Sequence, residues 1–159
     1  MAGGGSGKLA RRSLRGPSSA AADPEDEPLS VPEAFSEIFQ RICDEQGWQL
    51  RPSGVQVTWP DGRHQIVSVE LFEHEASDRV RLFTTIGETS RLTPVRLNIT
   101  LRINAELAHG AFAVRDDDLI MVDTHLLDCA HPKAIEASIR FLAETADYYE
   151  KAIFETDEY

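Results

Sequence analysis

Pro94-Val95-Arg96-Leu97-Asn98-Ile99-Thr100-Leu101-Arg102-Ile103-Asn104-Ala105-Glu106-Leu107 is the stretch on which the fold turns. Val95, Leu97, Ile99, Leu101, Ile103, Ala105 and Leu107 alternate with polar residues without a break. That is the period of a half-buried strand. Yet Val95, Ile99, Ile103 and Leu107 also recur at i, i+4, as do Leu97 and Leu101, which aligns each set along a helix. Pro94 fits the start of either element. Local period alone favours the strand.

On the N-terminal side, Ser30-Val31-Pro32-Glu33 has capping-box spacing with proline in the first turn. Phe35, Ile38, Phe39 and Ile42 follow at i, i+3, i+4, i+7, one face of a helix that Gly47 ends. Three strand-like runs come next. Val55, Val57 and Trp59 alternate with polar residues, and Pro60-Asp61-Gly62 signals a turn. Val67, Val69 and Leu71 line one face of the second run, with Ile66 and Phe72 on the other. Ala76-Ser77-Asp78 reads as the next turn, and Val80, Leu82 and Ile86 line the third run, with Phe83 opposite. Period two with short polar breaks predicts an antiparallel meander.

On the C-terminal side, His109 to Arg115 reads as a short strand and Asp116-Asp117-Asp118 as a turn. Leu119 to Leu126 reads as the hairpin partner, with Ile120, Val122 and Leu126 on one face. Pro132 opens the last element. Ile135, Ile139, Leu142, Ala146, Tyr149 and Ile153 follow at helical spacing, with Glu136/Arg140 and Asp147/Lys151 as i, i+4 pairs. The acidic end, residues 155–159, opposes the helix dipole and is expected to fray.

With 94–107 taken as a helix, the order is α-β-β-β-α-β-β-α. That resembles the CesT-like secretion chaperones and the YbjN family. Leu101-Arg102-Ile103-Asn104-Ala105-Glu106-Leu107, then Gly110-Ala111-Phe112-Ala113, looks like that group's "L-x-x-N-x-x-L…G-x-F" helix-to-strand passage. The acidic turn at 116–118 and the terminal helix through Leu142-Ala143-Glu144-Thr145-Ala146-Asp147-Tyr148 fit as well. The resemblance spans about residues 30–155 and is best over 97–150. It makes 94–107 the second helix. It implies an α+β fold, an antiparallel sheet with helices packed on it. It further implies a small, often dimeric, non-catalytic domain that holds a partly unfolded stretch of another protein.

The chain has 159 residues, one domain's worth, with 42% hydrophobic and 27% charged residues, an ordinary globular mix. No run approaches the ~18 apolar residues of a membrane-spanning helix. With 16 Lys+Arg against 27 Asp+Glu the net charge is −11. That argues against nucleic acid, whose phosphates need a basic face, and biases toward basic or neutral partners. Residues 1–22 carry Lys8, Arg11, Arg12 and Arg15 and no acid, while 23–28 read Asp-Pro-Glu-Asp-Glu-Pro. Residues 1–28 lack aromatic and β-branched side chains, so they are expected to form a disordered leader ahead of one domain at 29–159. The leader lacks the apolar core of a signal peptide. With only Cys43 and Cys129 there is no disulfide framework. A cytoplasmic protein with free thiols is expected. Ten arginines against two lysines over 29–159 suggest a GC-rich bacterial source.

The residues that could carry chemistry form no recognised motif. Asp123, His125, Cys129 and His131 lie within nine residues and all are zinc-ligand types. Their spacing matches no common zinc module, so a hairpin-to-helix loop is expected and no metal or other cofactor is assigned. His64 and His74 flank one strand, roughly 33 Å apart if it is extended, and cannot share a ligand. Cys129 lies near two histidines but has no local catalytic signature. Asp116-Asp117-Asp118 lacks the Gly and Glu of a calcium loop. An enzyme is not expected.

The binding reading rests on apolar residues left over once a core is assigned. Ile66, Phe72 and Phe83 point away from the helix-packed sheet face, and Phe141 and Tyr148, seven apart, share a face of the last helix. These five are the expected partner-binding residues, because exposed aromatics that cluster mark interaction sites. A chaperone-like domain binding a protein or extended peptide, as a homodimer, is the leading expectation. The alternative is a regulatory adaptor that docks a folded partner, with the basic leader as a second contact.

Overall fold

A computed structural model describes residues 33–155 of the chain. The leader assigned to 1–28, the Ser30 cap and residues 156–159 lie outside the described residues. Helix α1 (Glu33–Gln46) is followed by four strands: β1 (Gln49–Arg51), β2 (Gly54–Thr58), β3 (His64–His74) and β4 (Ser77–Glu88). Then come α2 (Pro94–Ile103), the hairpin β5 (Ala111–Arg115) and β6 (Asp118–Leu126), and α3 (Pro132–Glu150). The six strands form one antiparallel sheet in the order β1-β2-β3-β4-β6-β5. The fold is the expected α+β class with one addition. Gln49-Leu50-Arg51 pairs with Arg51-side neighbours Gly54 to Gln56 as a short edge strand. Three residues with a single apolar one are too short to show a period.

Pleat parity divides the sheet into two faces. Val55, Val57, Val67, Val69, Val80, Leu82 and Ile86 point inward, as the alternation predicts, and all are buried. Register places Thr84 and Met121 side by side on that face, with Leu119 one step along β6. Leu119 and Met121 are fully buried. The sequence reading assigned the apolar face of β6 to Ile120, Val122 and Leu126, which take the opposite parity. A run as apolar as Leu119-Ile120-Met121-Val122 has no alternation from which to choose a face. Phe35, Phe39, Ile42 and Cys43 of α1 join Ile135, Ile139, Leu142, Ala143 and Ala146 of α3 over these strands in one core.

Residues 94–103 are helical, and the cause is local. Thr93 accepts a hydrogen bond from the Arg96 N–H at 3.3 Å, and Pro94 takes the first helical position. The helix stops at Ile103, short of the expected Leu107. It buries Thr100 and tucks Leu97 and Ile103 against the core. The sequence stripe Val95-Ile99-Ile103-Leu107 is therefore split, Ile103 and Leu107 packing on the core and Val95 and Ile99 not. Val95 is 67% exposed, Ile99 55% and Leu101 42%.

One further reading changes. The turn between β3 and β4 is Glu75-Ala76, with φ of 53° and 56°, while Ser77 and Asp78 already pair with His74 and Glu73. Beyond α3 the chain continues as one π-turn, Lys151–Glu155, and the expected fraying over 155–159 falls, past Glu155, outside the described residues. Ile153 and Phe154 pack on the core, and the Arg91 guanidinium lies 4.8 Å from the Phe154 ring centre. Gly87, beside the β4 bulge, makes room: a Cβ there would sit 2.6 Å from that ring. The expected helix pairs form, Arg140 to Glu136 and Lys151 to Asp147, each at 3.1 Å. Arg63 also reaches Asp147 and ties the β2–β3 turn to α3. Burial opposes ionisation of Asp147, but bonds from Arg63 and Lys151 outweigh it and hold its carboxyl below the usual range.

Candidate functional site

The outer face of the sheet carries the side chains that the core does not use. Ile66, Phe72 and Phe83 all lie on it, as their parity requires. None of the three is among the residues packed on the helix-covered core of the inner face, to which the buried apolar residues of α1 and α3 belong; Ile120 of β6, at the same outer parity, is buried. Ile66 is 38% exposed, and Phe72 and Phe83 are half-buried. Arginines provide the cover on both rings. Arg81 on β4 lies 4.2 Å from the Phe72 ring centre, and Arg115 on β5 lies 4.6 Å from that of Phe83. Both guanidiniums converge on Glu70 Oε2, at 3.1 and 3.3 Å. Three strands thus share one layer of stacked and paired side chains. Val122 and Leu126 of β6 continue the apolar area beside it, with Leu126 exposed.

Phe141 and Tyr148 are on the opposite side of the molecule, in the helix layer. Phe141 is half-buried edge-to-face with His109 at 5.2 Å. Tyr148 is 65% exposed and meets Tyr149 at 5.0 Å, while Tyr149 packs on Phe112. The five expected binding residues therefore do not form one patch. Three gather on the outer sheet face and two flank α3. The sequence reading missed Val95, Ile99 and Leu101 as surface residues because their alternation resembled a core strand.

The zinc-type residues separate by role. His131 caps α3, with Nδ1 accepting from the Lys133 N–H at 3.3 Å, and Cys129 is exposed. Asp123 and His125, on inner-face positions of β6, instead meet Ser138 of α3. Ser138 Oγ donates to Asp123 Oδ2 at 2.7 Å, and His125 Nε2 lies 2.8 Å from Ser138 Oγ and 3.2 Å from Asp123 Oδ2. Burial works against the Asp123 charge, but the bonds from His125 and Ser138 win and hold its carboxyl below the ordinary range. The triangle contains the residue types of a catalytic triad without its geometry. In a triad the carboxylate holds one imidazole nitrogen and the nucleophile the other. Here both meet the same nitrogen, the serine proton goes to Asp123, and Ser138 is 1% exposed. The cluster locks α3 onto β6. Cys43 is equally unsuited to attack: burial, with Asp44 adding to it, pushes its thiol up to about 11.

The "L-x-x-N…G-x-F" passage has a physical role. Asn104 Nδ2 donates to the Phe112 carbonyl at 3.0 Å, and its Oδ1 accepts from the Phe112 N–H at 2.6 Å. One side chain thus replaces a neighbouring strand on the free edge of β5 and blunts that edge at Phe112. Gly110, at φ 57°, leaves the space: a Cβ would come within 2.8 Å of the Val122 carbonyl oxygen. No family model matches the chain, and no curated protein is detectably similar to it. Among the described residues no helix is long and apolar enough to cross a membrane.

Proposed function

We propose that the chain is a non-catalytic, cytoplasmic protein-binding domain of the secretion-chaperone and YbjN kind. It holds a segment of a partner protein on the outer face of its sheet. The observation that carries this reading is the face itself: Ile66, Phe72, Phe83, Val122 and Leu126 on three adjacent strands, none of them packed on the helix-covered core. Apolar area left in such a patch favours association. The rings are held by stacked arginines, so little side-chain freedom remains to be lost on binding. The homodimer expected from the resemblance has a separate surface to use, the exposed Val95, Ile99 and Leu101 of α2.

The test is recovery of the full chain from its own cells, with sizing of what accompanies it. A partner at fixed stoichiometry that is lost on Ile66→Asp, while the folded circular dichroism spectrum is kept, supports the reading. Retention of the partner by Ile66→Asp and by Phe83→Ser removes the outer face from it. Ile99→Glu is expected to convert a dimer to a monomer without releasing the partner.

A further inference from the structure

We propose that the outer sheet face selects acidic segments: its occupant is an extended stretch of a partner protein that presents carboxylates among aliphatic side chains. This rests on the protein-binding reading above and adds the chemistry of what is bound. The chain as a whole has 27 acidic against 16 basic residues. The outward-facing strand positions reverse that balance. Arg51, Arg79, Arg81 and Arg115 point outward, against Glu70, Glu88 and Asp118. Net charge of −11 would repel an acidic partner at long range, but the field that a docked segment feels is local, because screening sets in within ~8 Å at physiological salt.

The arginines are unequally satisfied. Arg81 and Arg115 share a single carboxylate, Glu70. Arg79, opposite Phe72 and Leu126 in register, forms no ion pair among the described residues, and its Nε is buried without a hydrogen-bond partner. Three guanidiniums therefore face one carboxylate in the centre of the sheet. The Arg81 and Arg115 guanidiniums lie 4.2 and 4.6 Å from the Phe72 and Phe83 ring centres and are tied to Glu70 as well, which restricts them in advance. A carboxylate laid across the face meets preset donors, in the manner already seen at Glu70. Exposed Ile66 and Leu126 flank the arginines and suit the aliphatic part of such a segment. A nucleic acid strand fits less well, since the rings on which its bases would stack are already covered by guanidiniums.

The probe is a fluorescein-labelled peptide of about twelve residues alternating Glu and Val, long enough at ~3.3 Å per residue to cross the sheet. It is titrated into the full chain by anisotropy, beside versions with Gln or Lys for Glu and an oligouridylate. Saturable binding of the Glu peptide is expected, with amide shifts in wild-type protein centred on Ile66, Arg79 and Thr124. Arg79→Gln combined with Arg115→Gln should weaken it about tenfold or more, whereas Arg102→Gln on α2 should leave it within about twofold. Equal binding of the Gln or Lys peptide at the same residues overturns the acidic preference and leaves the protein-binding reading standing. Failure of every peptide to bind overturns both. Tighter binding of the oligouridylate on this face overturns the proposal in favour of nucleic acid. Glu-peptide binding that needs deletion of residues 1–28 overturns it in favour of the chain's own acidic run at 23–28.

Discussion

The inner face of the sheet excludes water with aliphatic side chains from three directions, two helices and the strands beneath them. The outer face has the same six strands and the same pleat, yet its Phe72 and Phe83 rings are covered by arginine side chains, and Ile66 and Leu126 stay exposed. The difference shows how one sheet serves two purposes. Burial by a helix is held in place by the chain and contributes stability. Cover by a guanidinium is thin and polar at its rim, and leaves the face able to bind. Truncation on the inner face should therefore be far costlier than on the outer one. Leu82→Ala, at a fully buried centre of β4, is expected to lose ~2–5 kcal/mol in urea unfolding. Phe72→Ala removes more atoms but is expected to cost less than half of that, with the Arg81 stack accounting for ~0.5–1 kcal/mol. Equal losses would mean that the outer face is a second core.

Parity made the inner face legible in the sequence. A strand face under a helix must be apolar at every second residue, and Val67, Val69, Val80 and Leu82 obey that without exception. The same parity placed Ile66, Phe72 and Phe83 opposite. What covers those rings was not legible, because Arg115 is far from Phe83 in the chain and only the β4-β6-β5 order brings them together. The partition of α2 failed for a related reason. Which side of a weakly amphipathic helix is buried depends on where it lands against β5, and the Asn104 contact that sets this is tertiary. Ser138 gave no signal for its part in the Asp123 triangle, since a serine within an apolar helix stripe reads as a spacer.

That triangle is the place where the inner face departs from its own rule, and it sharpens the comparison. Asp123→Ala removes the acceptor of the buried Ser138 hydroxyl and is expected to cost ~1–3 kcal/mol. Because the folded Asp123 carboxyl sits below its usual range, its contribution is complete above the ordinary carboxylate pKa. It is lost as pH falls through that value and on to the lower folded one. Wild-type stability followed from pH 6 downward should drop more steeply than that of Asp123→Asn below about pH 4. Parallel curves would remove Asp123 from the acid limb and leave Asp147 and Asp61 as the carboxyls held low.

The edge of β5 tests a different boundary, that between the two faces and solvent. Asn104→Ala frees both backbone groups of Phe112 at the sheet edge, where water can replace the lost bonds. The expected loss is ~1 kcal/mol, with faster amide exchange at Phe112 but not at its inner-face neighbour Met121. If exchange at Met121 rises equally, the edge and the core open as one unit, and the separation of stable interior from adaptable surface does not extend to this side.

The smallest expected effect is at the tip of the β3–β4 hairpin, beyond the helix-covered part of the sheet. Glu75 and Ala76 both take left-handed backbone conformations, at φ 53° and 56°, the geometry of a tight two-residue turn that favours glycine in its second position. Ala76 sits there with a Cβ that disfavours the conformation by roughly 1–2 kcal/mol. Ala76→Gly relieves that strain but widens the unfolded ensemble, which offsets part of the gain. A net stabilisation of ~0.5–1 kcal/mol is expected, read as a higher urea midpoint with unchanged slope. The substitution touches neither face, so it should leave peptide binding at Ile66 and Arg79 as it was. Stabilisation accompanied by altered binding would show that the hairpin moves when the outer face is occupied, and the stacked arginines would then be part of a mobile element and not a preset one.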